Sequence, residues 1–205
     1  MKKAIVSLLI GVSAVAAAPV VQANDNPWLV RFRAVNLNWD NSPSDSLRNS
    51  LSGARLEAVN QFIPEVDISY FFNKNFAAEL VLTYPQKVDI DLAGGNIGSA
   101  KALPPSLLLQ YHFTDFGSFK PYVGVGVNYT LFTDRKVLGG AAKVESSSVG
   151  YAAQLGADYM FDKNWGLNID LKYADIKTDV KLGGNKIGSL DLSPTMFGIG
   201  VTYKY

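Results

Sequence analysis

Charged residues stand two positions apart at Arg31-x-Arg33, Glu65-x-Asp67 and Asp170-x-Lys172, and Glu79, Asp158 and Lys204 sit in segments of the same alternating character. On a strand, residues i and i+2 share a face. Gathered in one narrow enclosure, these four cations and five anions can form a nearly neutral network, whose chemistry is charge pairing: a polar plug rather than an open ionic pore. Other chemistries find little support. His112 is the lone histidine, with no Gly-x-Ser-x-Gly elbow and no paired serine, so it reads as a polar filler rather than a general base. With no cysteine there is no disulfide framework or thiolate metal site. Gly124, Gly126, Gly198 and Gly200 alternate within strands and do not form a phosphate-binding loop, so neither a metal nor a cofactor is expected.

The elements that must position these residues are strands. Eight segments alternate: Trp28 to Asn38, Gln61 to Phe72, Asn75 to Tyr84, Leu103 to Phe113, Lys120 to Phe132, Ser148 to Phe161, Asn164 to Ile176 and Ser193 to Tyr205. Short connections at Asn73-Lys74, Thr114 to Phe119 and Asp162-Lys163 alternate with long ones. That is the pattern of a transmembrane β-barrel with periplasmic turns and extracellular loops.

Before the strands, Lys2 and Lys3 precede an apolar run from Ala4 to Ala18, and Val21-Gln22-Ala23 offers a small-x-small cleavage site. Residues 1–23 are therefore expected to be a cleaved signal peptide and residues 24–205 a single barrel domain. Without Lys2 and Lys3, the 19 basic residues fall to near balance with the 18 acidic ones. Bulk charge thus suggests no nucleic-acid partner.

Aromatic pairs Phe62/Phe72, Phe76/Tyr84, Tyr151/Phe161 and Trp165/Tyr173 keep an even separation, so each pair shares a face and marks two interfacial girdles. Between them lies an uncharged band that includes Val66, Ile68, Leu80, Leu82, Leu107, Leu109, Leu155, Leu167, Ile169 and Val201. A lipocalin-like soluble barrel would turn such a band inward. The signal segment, the girdle spacing and the terminal aromatic favour lipid instead, with outer-membrane lipid and lipopolysaccharide as surroundings.

Several motifs resemble the OmpW family of small outer-membrane barrels. They are Leu103-Pro104-Pro105-Ser106 leading to Gln110-Tyr111-His112-Phe113, the run Lys120 to Thr130, Trp165 to Tyr173, and the closing Gly198-Ile199-Gly200. The resemblance implies an eight-stranded barrel that admits small hydrophobic compounds across the outer membrane. The family commonly ends in phenylalanine where this chain has Tyr205. Tyr203 and Tyr205 are expected to form the terminal signal read by the barrel assembly machinery.

With that topology, the upper inward positions Val35, Leu37, Ile63, Val81, Leu108 and Met196, with loop residues Leu47, Leu51 and Leu56 above them, predict an apolar funnel over the charged plug. Small hydrophobic ligands entering it would leave sideways into the bilayer. Pro64, Pro85, Pro104, Pro105 and Pro194 lie near the upper strand ends, where a missing amide donor weakens the ladder, and Pro64, Pro104, Pro105 and Pro194 are the expected lateral opening. Leu47, Leu51 and Leu56 suggest a short helix over Ser46 to Glu57. Lys87 to Ser99 and Lys177 to Ser189 form a quasi-repeat with Gly-Gly-Asn turns, expected as hairpins above the membrane. The alternative function is a closed structural or adhesive barrel whose loops receive phage or bacteriocins; a lipid-modifying enzyme ranks below both.

Overall fold

Alternation with a period of two makes a wall only if every edge of the sheet finds a partner, and here the last strand returns to the first. The computed structural model describes residues 26–40, 42–50, 56–57, 60–92, 95–137 and 142–205. In chain order these form β1 (Trp28–Asn38), β2 (Ser42–Pro43), helix α1 (Asp45–Ser50), β3 (Leu56–Glu57), β4 (Gln61–Phe71), β5 (Phe76–Thr83), β6 (Gln86–Leu92) and β7 (Gly95–Leu103). They continue as β8 (Ser106–His112), β9 (Phe119–Val137), β10 (Ala142–Val144), β11 (Ser147–Met160), β12 (Trp165–Ala174), β13 (Lys177–Leu182), β14 (Asn185–Asp191) and β15 (Thr195–Lys204). The expected signal segment lies outside the described residues.

Strands β1, β4, β5, β8, β9, β11, β12 and β15 pair antiparallel in that order, and β15 pairs β1 from Leu29↔Lys204 to Asn38↔Thr195. The wall is therefore a closed eight-stranded barrel, and closure satisfies the backbone donors that lipid cannot. Inside the ring, Arg31 lies opposite Asp67 on one side and Thr202 on the other, so the register alone brings the charged residues to one level. The opposite face carries the girdle residues, with Phe62 76%, Phe161 61% and Trp165 51% exposed to the surroundings.

The short turns are fixed by side-chain chemistry. Asn73 accepts the backbone N–H groups of Asn75 and Phe76, both at 2.9 Å, and Asp162 accepts those of Asn164 and Trp165 at 2.8 and 2.7 Å. These are Asx turns, in which the side chain replaces a backbone acceptor. At the other end the sheet continues outward. The long β9 pairs β7 from Leu103↔Leu131 upward, β10 pairs β13, and β13–β14 closes through Gly183 and Gly184, with φ of 57° and 92°. Both expected hairpins are present, as β6–β7 and β13–β14, and each carries a register shift at the equivalent step, Ile90/Asp91 and Val180/Lys181.

The short helix differs from expectation. It covers only Asp45–Ser50, and Leu56 lies in β3, paired with Leu92. The strand edge of β6 offers Leu56 a backbone partner, which overrides the helical spacing. Leu47 falls within α1, and Leu51 lies outside the described residues.

Two glycines are dictated by the wall itself. A Cβ at Gly200 would stand 2.0 Å from the carbonyl oxygen of Phe32, and one at Gly126 would stand 2.0 Å from that of Leu107. Backbone cannot yield as a side chain can. At Gly198, by contrast, the nearest neighbour is the Arg33 Cδ at 3.2 Å. Gly200→Ala is therefore expected to destabilise the barrel by about 2 kcal/mol or more, and Gly198→Ala by about 1 kcal/mol or less. Urea unfolding in detergent, followed by tryptophan fluorescence, measures both.

Candidate functional site

The middle of the lumen is an ion-pair layer without access to water. Arg31 grips Asp158 through both ends of its guanidinium, Nε to Oδ1 at 3.1 Å and Nη2 to Oδ2 at 2.7 Å, and meets Glu79 at 2.5 Å. Arg33 stands 2.7 Å from both Asp67 and Asp170, ion pairs held by charge rather than by aligned hydrogen bonds. Lys172 donates to Glu65 at 2.9 Å. All eight side chains are 4% exposed or less. Removing charges from water costs several kcal/mol per ion, so only mutual pairing makes such a layer tolerable.

Lys204 does not join it. Its register partner is Leu29, whereas Thr202 occupies the place opposite Arg31 and donates to Asp158 at 2.5 Å. One inward step nearer the periplasm, the Lys204 ammonium instead lies 5.9 Å from the Phe71 ring centre. The layer therefore has three cations for its five carboxylates, and hydrogen-bond donors make up the shortfall.

Those donors include residues not singled out in the sequence. Tyr122, 1% exposed, donates to Asp170 at 2.8 Å and lies beneath the Arg31 guanidinium, 4.6 Å from its ring centre. Gln154 bridges Glu79 and Asp170 at 2.9 and 2.8 Å. Gln110 donates to Gln154 at 2.9 Å, and Ser69 donates to Glu79 at 3.1 Å. His112 meets Gln110 at 3.0 Å and stacks on Tyr122, so it fills the lumen floor. The signal for Tyr122 was available: it alternates with Val123 and faces Gly156, where a Cβ would come within 2.5 Å of its ring.

Above the layer the lumen is apolar, but it is packed rather than open. Val35, Leu37, Ile63 and Met196 form one cluster with Trp39, Phe132, Ile176, Val180, Leu190 and Leu192, all 7% exposed or less. The loop strands supply the additional residues and fill what the sequence suggested as a funnel. Val81 and Leu108 sit apart, with Ala152.

The expected prolines divide into two groups. The β5–β8 ladder ends at Val81↔Ser106 and pairing resumes only at Gln86↔Ala102 of β6–β7, so Leu82 to Pro85 and Leu103 to Pro105 are unpaired across the gap. Pro64 lies beside it on β4, whose residues above Glu65 pair β1 alone. Asn128 stands on the other side of this segment, donating from β9 to the carbonyls of Pro104 and Pro105 at 3.3 and 3.1 Å and to Ser106 at 3.0 Å. Pro194 does not open the wall. Its carbonyl accepts the Ala174 N–H at 3.3 Å, and the residue is buried.

At the periplasmic end, a cavity of about 670 Å³ runs from the turns up to Asp158 and His112. The Asp162 carboxyl at its rim is held below the usual carboxylate range by the backbone N–H groups of Trp165 and then Asn164.

A closed antiparallel barrel with aromatic girdles, an uncharged lipid-facing band and an ion-paired lumen is an outer-membrane β-barrel. The OmpW family model matches residues 27–205, and the chain belongs to that family. The uncharacterized outer-membrane protein y4mB of Sinorhizobium fredii is 41% identical over 192 residues, covering 90% of this chain and 82% of that one. The dibenzothiophene metabolism operon protein PahQ of Pseudomonas aeruginosa is 26% identical over 167 residues, 77% of each chain. Among solved structures, the outer membrane protein OprG from Pseudomonas aeruginosa superposes with a TM-score of 0.71 at 29% identity, over 88% of this chain and 97% of that one. The protein resides in the outer membrane and, like its family, is a barrel rather than an enzyme.

Arg31→Ala should cost about 3–5 kcal/mol by leaving Glu79 and Asp158 without their nearest cation. Lys204→Ala, outside the layer, should change stability by less than about 1 kcal/mol. Denaturant unfolding of both variants checks the ranking; the reverse order would put Lys204 in the layer.

Proposed function

We propose that the barrel lets small apolar molecules cross the outer membrane through its upper lumen and releases them sideways into the bilayer. The observation that carries this reading is the interrupted ladder at Leu82–Pro85 and Leu103–Pro105, which starts level with Glu65 at the top of the charged layer and runs up beside Ile63 and Ala102 of the apolar cluster. A molecule lodged among Val35, Ile63 and Met196 has no favourable way down. Going further would separate buried ion pairs, whereas moving sideways between Leu82–Pro85 and Leu103–Pro105 breaks no ladder, since none is formed there. Pro64, Pro104 and Pro105 form the exit in this scheme. The kinship with PahQ, whose name ties it to the metabolism of an apolar aromatic compound, supports the choice of cargo.

The packed state of the upper cluster means that passage requires its side chains and the loop strands above to move. The same packing favours a competing reading, a closed anchor whose loops do the work, and the two differ in transport.

Pro104→Ala/Pro105→Val supplies backbone donors, one of which faces the gap because consecutive strand amides point to opposite sides, and Asn128→Ala loosens the Pro104–Pro105 segment from β9. One hydrogen bond is worth about 1 kcal/mol, or about fivefold on an opening equilibrium. Uptake of an apolar aromatic tracer into proteoliposomes should therefore fall about fivefold in the first variant and rise in the second. Unchanged uptake in both, or none in the native barrel, would leave the anchor reading. Charged substitution at Ile63 should also slow uptake, since it places an unpaired charge in the apolar cluster.

A further inference from the structure

The periplasmic cavity lies on the far side of the ion-pair layer from the route above, so its role is independent of that proposal. Its wall is apolar where Leu29, Phe71 and Met160 line it, and its rim carries Lys74, Lys163 and Lys204, with Lys120 alongside. The anions nearby are already engaged. Asp158 is saturated by Arg31, Asn168 and Thr202, and Asp162 accepts the two backbone N–H groups of its own turn. Lys120 donates to the Thr114 carbonyl at 2.8 Å. Among the described residues, Lys74, Lys163 and Lys204 have no carboxylate at ion-pair distance.

An apolar wall under a rim of uncompensated ammonium groups is complementary to a molecule with an apolar tail and an anionic head. The volume of about 670 Å³ falls in the range of small-molecule sites, roughly 300–1,000 Å³. We propose that this cavity binds a single-chain amphiphilic anion from the periplasmic side, its head among Lys74, Lys163 and Lys204 and its tail against Leu29, Phe71 and Met160. A free fatty carboxylate and a lysophospholipid phosphate share this chemistry. Because the layer above is closed, the ligand enters and leaves by the same mouth, and the cavity works as a binding site rather than as part of a through-channel.

The methionines supply the test. Besides Met1, the chain has only Met160, in this cavity, and Met196, in the upper apolar cluster. With ¹³C-methyl methionine in the barrel reconstituted into nanodiscs, decanoate should shift the Met160 signal saturably and leave Met196 in place. Decanol and decyltrimethylammonium, which share the tail, should bind at least about tenfold more weakly, the usual worth of hydrogen bonds to a charged head. Lys204→Gln should weaken decanoate by a similar factor. Because Lys204 lies in the closing strand, Lys74→Gln/Lys163→Gln provides a second variant that leaves that strand intact and should weaken decanoate likewise.

A lysophosphatidate titration separates the sources: tighter binding than decanoate assigns the site to a lipid-derived phosphate, and weaker binding assigns it to a free carboxylate. An unmoved Met160 with both anions, equal binding of decanol, or a shift confined to Met196 would overturn the proposal.

Discussion

The middle of an eight-stranded ring is too narrow to hold bulk water, so every charge that alternation turns into that closed middle must be paired by another side chain. Arg31 and Arg33, adjacent inward positions on β1, answer most of that requirement. They reach Asp158, Glu79, Asp67 and Asp170 from one strand, and the carboxylates come from β4, β5, β11 and β12. A single strand thus fastens the interior on several sides. The consequence is a partition: an apolar compartment above, a basic-rimmed cavity below and no wet path between them through the layer.

The wall respects the same partition. Up to the step Val81↔Ser106 the ladders run unbroken around the barrel, and close strand approach is enforced where Gly126 and Gly200 lie against neighbouring carbonyls. The interruption at Pro104-Pro105 occurs only above it. There the Pro104–Pro105 segment has no β5 partner and is held from β9 by one backbone bond, Tyr129 to Pro105, and by the buried Asn128, to whose oxygen Thr130 donates at 2.6 Å. Side-chain hydrogen bonds can be exchanged one at a time, unlike a cooperative ladder. The compartment with the apolar lining is therefore also the one whose wall is weakest.

How much of this could be read in advance depended on whether a residue's role followed from parity or from register. Parity gave the lipid face, the inward charges, both surface hairpins and the short turns, because each rests on local alternation or on Asn and Asp turn chemistry. Register gave the rest. Lys204 has the right parity for the charged layer, but pairing with Leu29 sets it one step too low, and no local pattern reports that. Tyr122 has inward parity, but its fit against Gly156 of the neighbouring strand is set by register. The sequence suggests a funnel in the upper lumen because Trp39 and Leu190 come from connections, and Phe132 and Ile176 from the last residues of the expected strands, and their convergence over the barrel mouth is a long-range fact. Leu56 was read as helical by spacing and became a strand residue because β6 presented an edge.

The partition also bears on direction. A solute above the layer faces three barriers of different kinds. Downward movement would separate charges whose pairing is what makes their burial tolerable, and each separated ion would cost several kcal/mol with no water to compensate. Upward return requires re-exposing apolar surface at about 25 cal/mol per Å². Sideways movement passes where no ladder joins β5 to β8 and ends in continuous contact with hydrocarbon, so the apolar solute loses none of its burial on the way. Given entry, lipid is the favoured sink for an apolar molecule and a poor one for a charged molecule. On the proposed route, selectivity would follow from the surroundings of the exit as much as from the lining of the lumen, and the barrel would need no binding site shaped to one cargo.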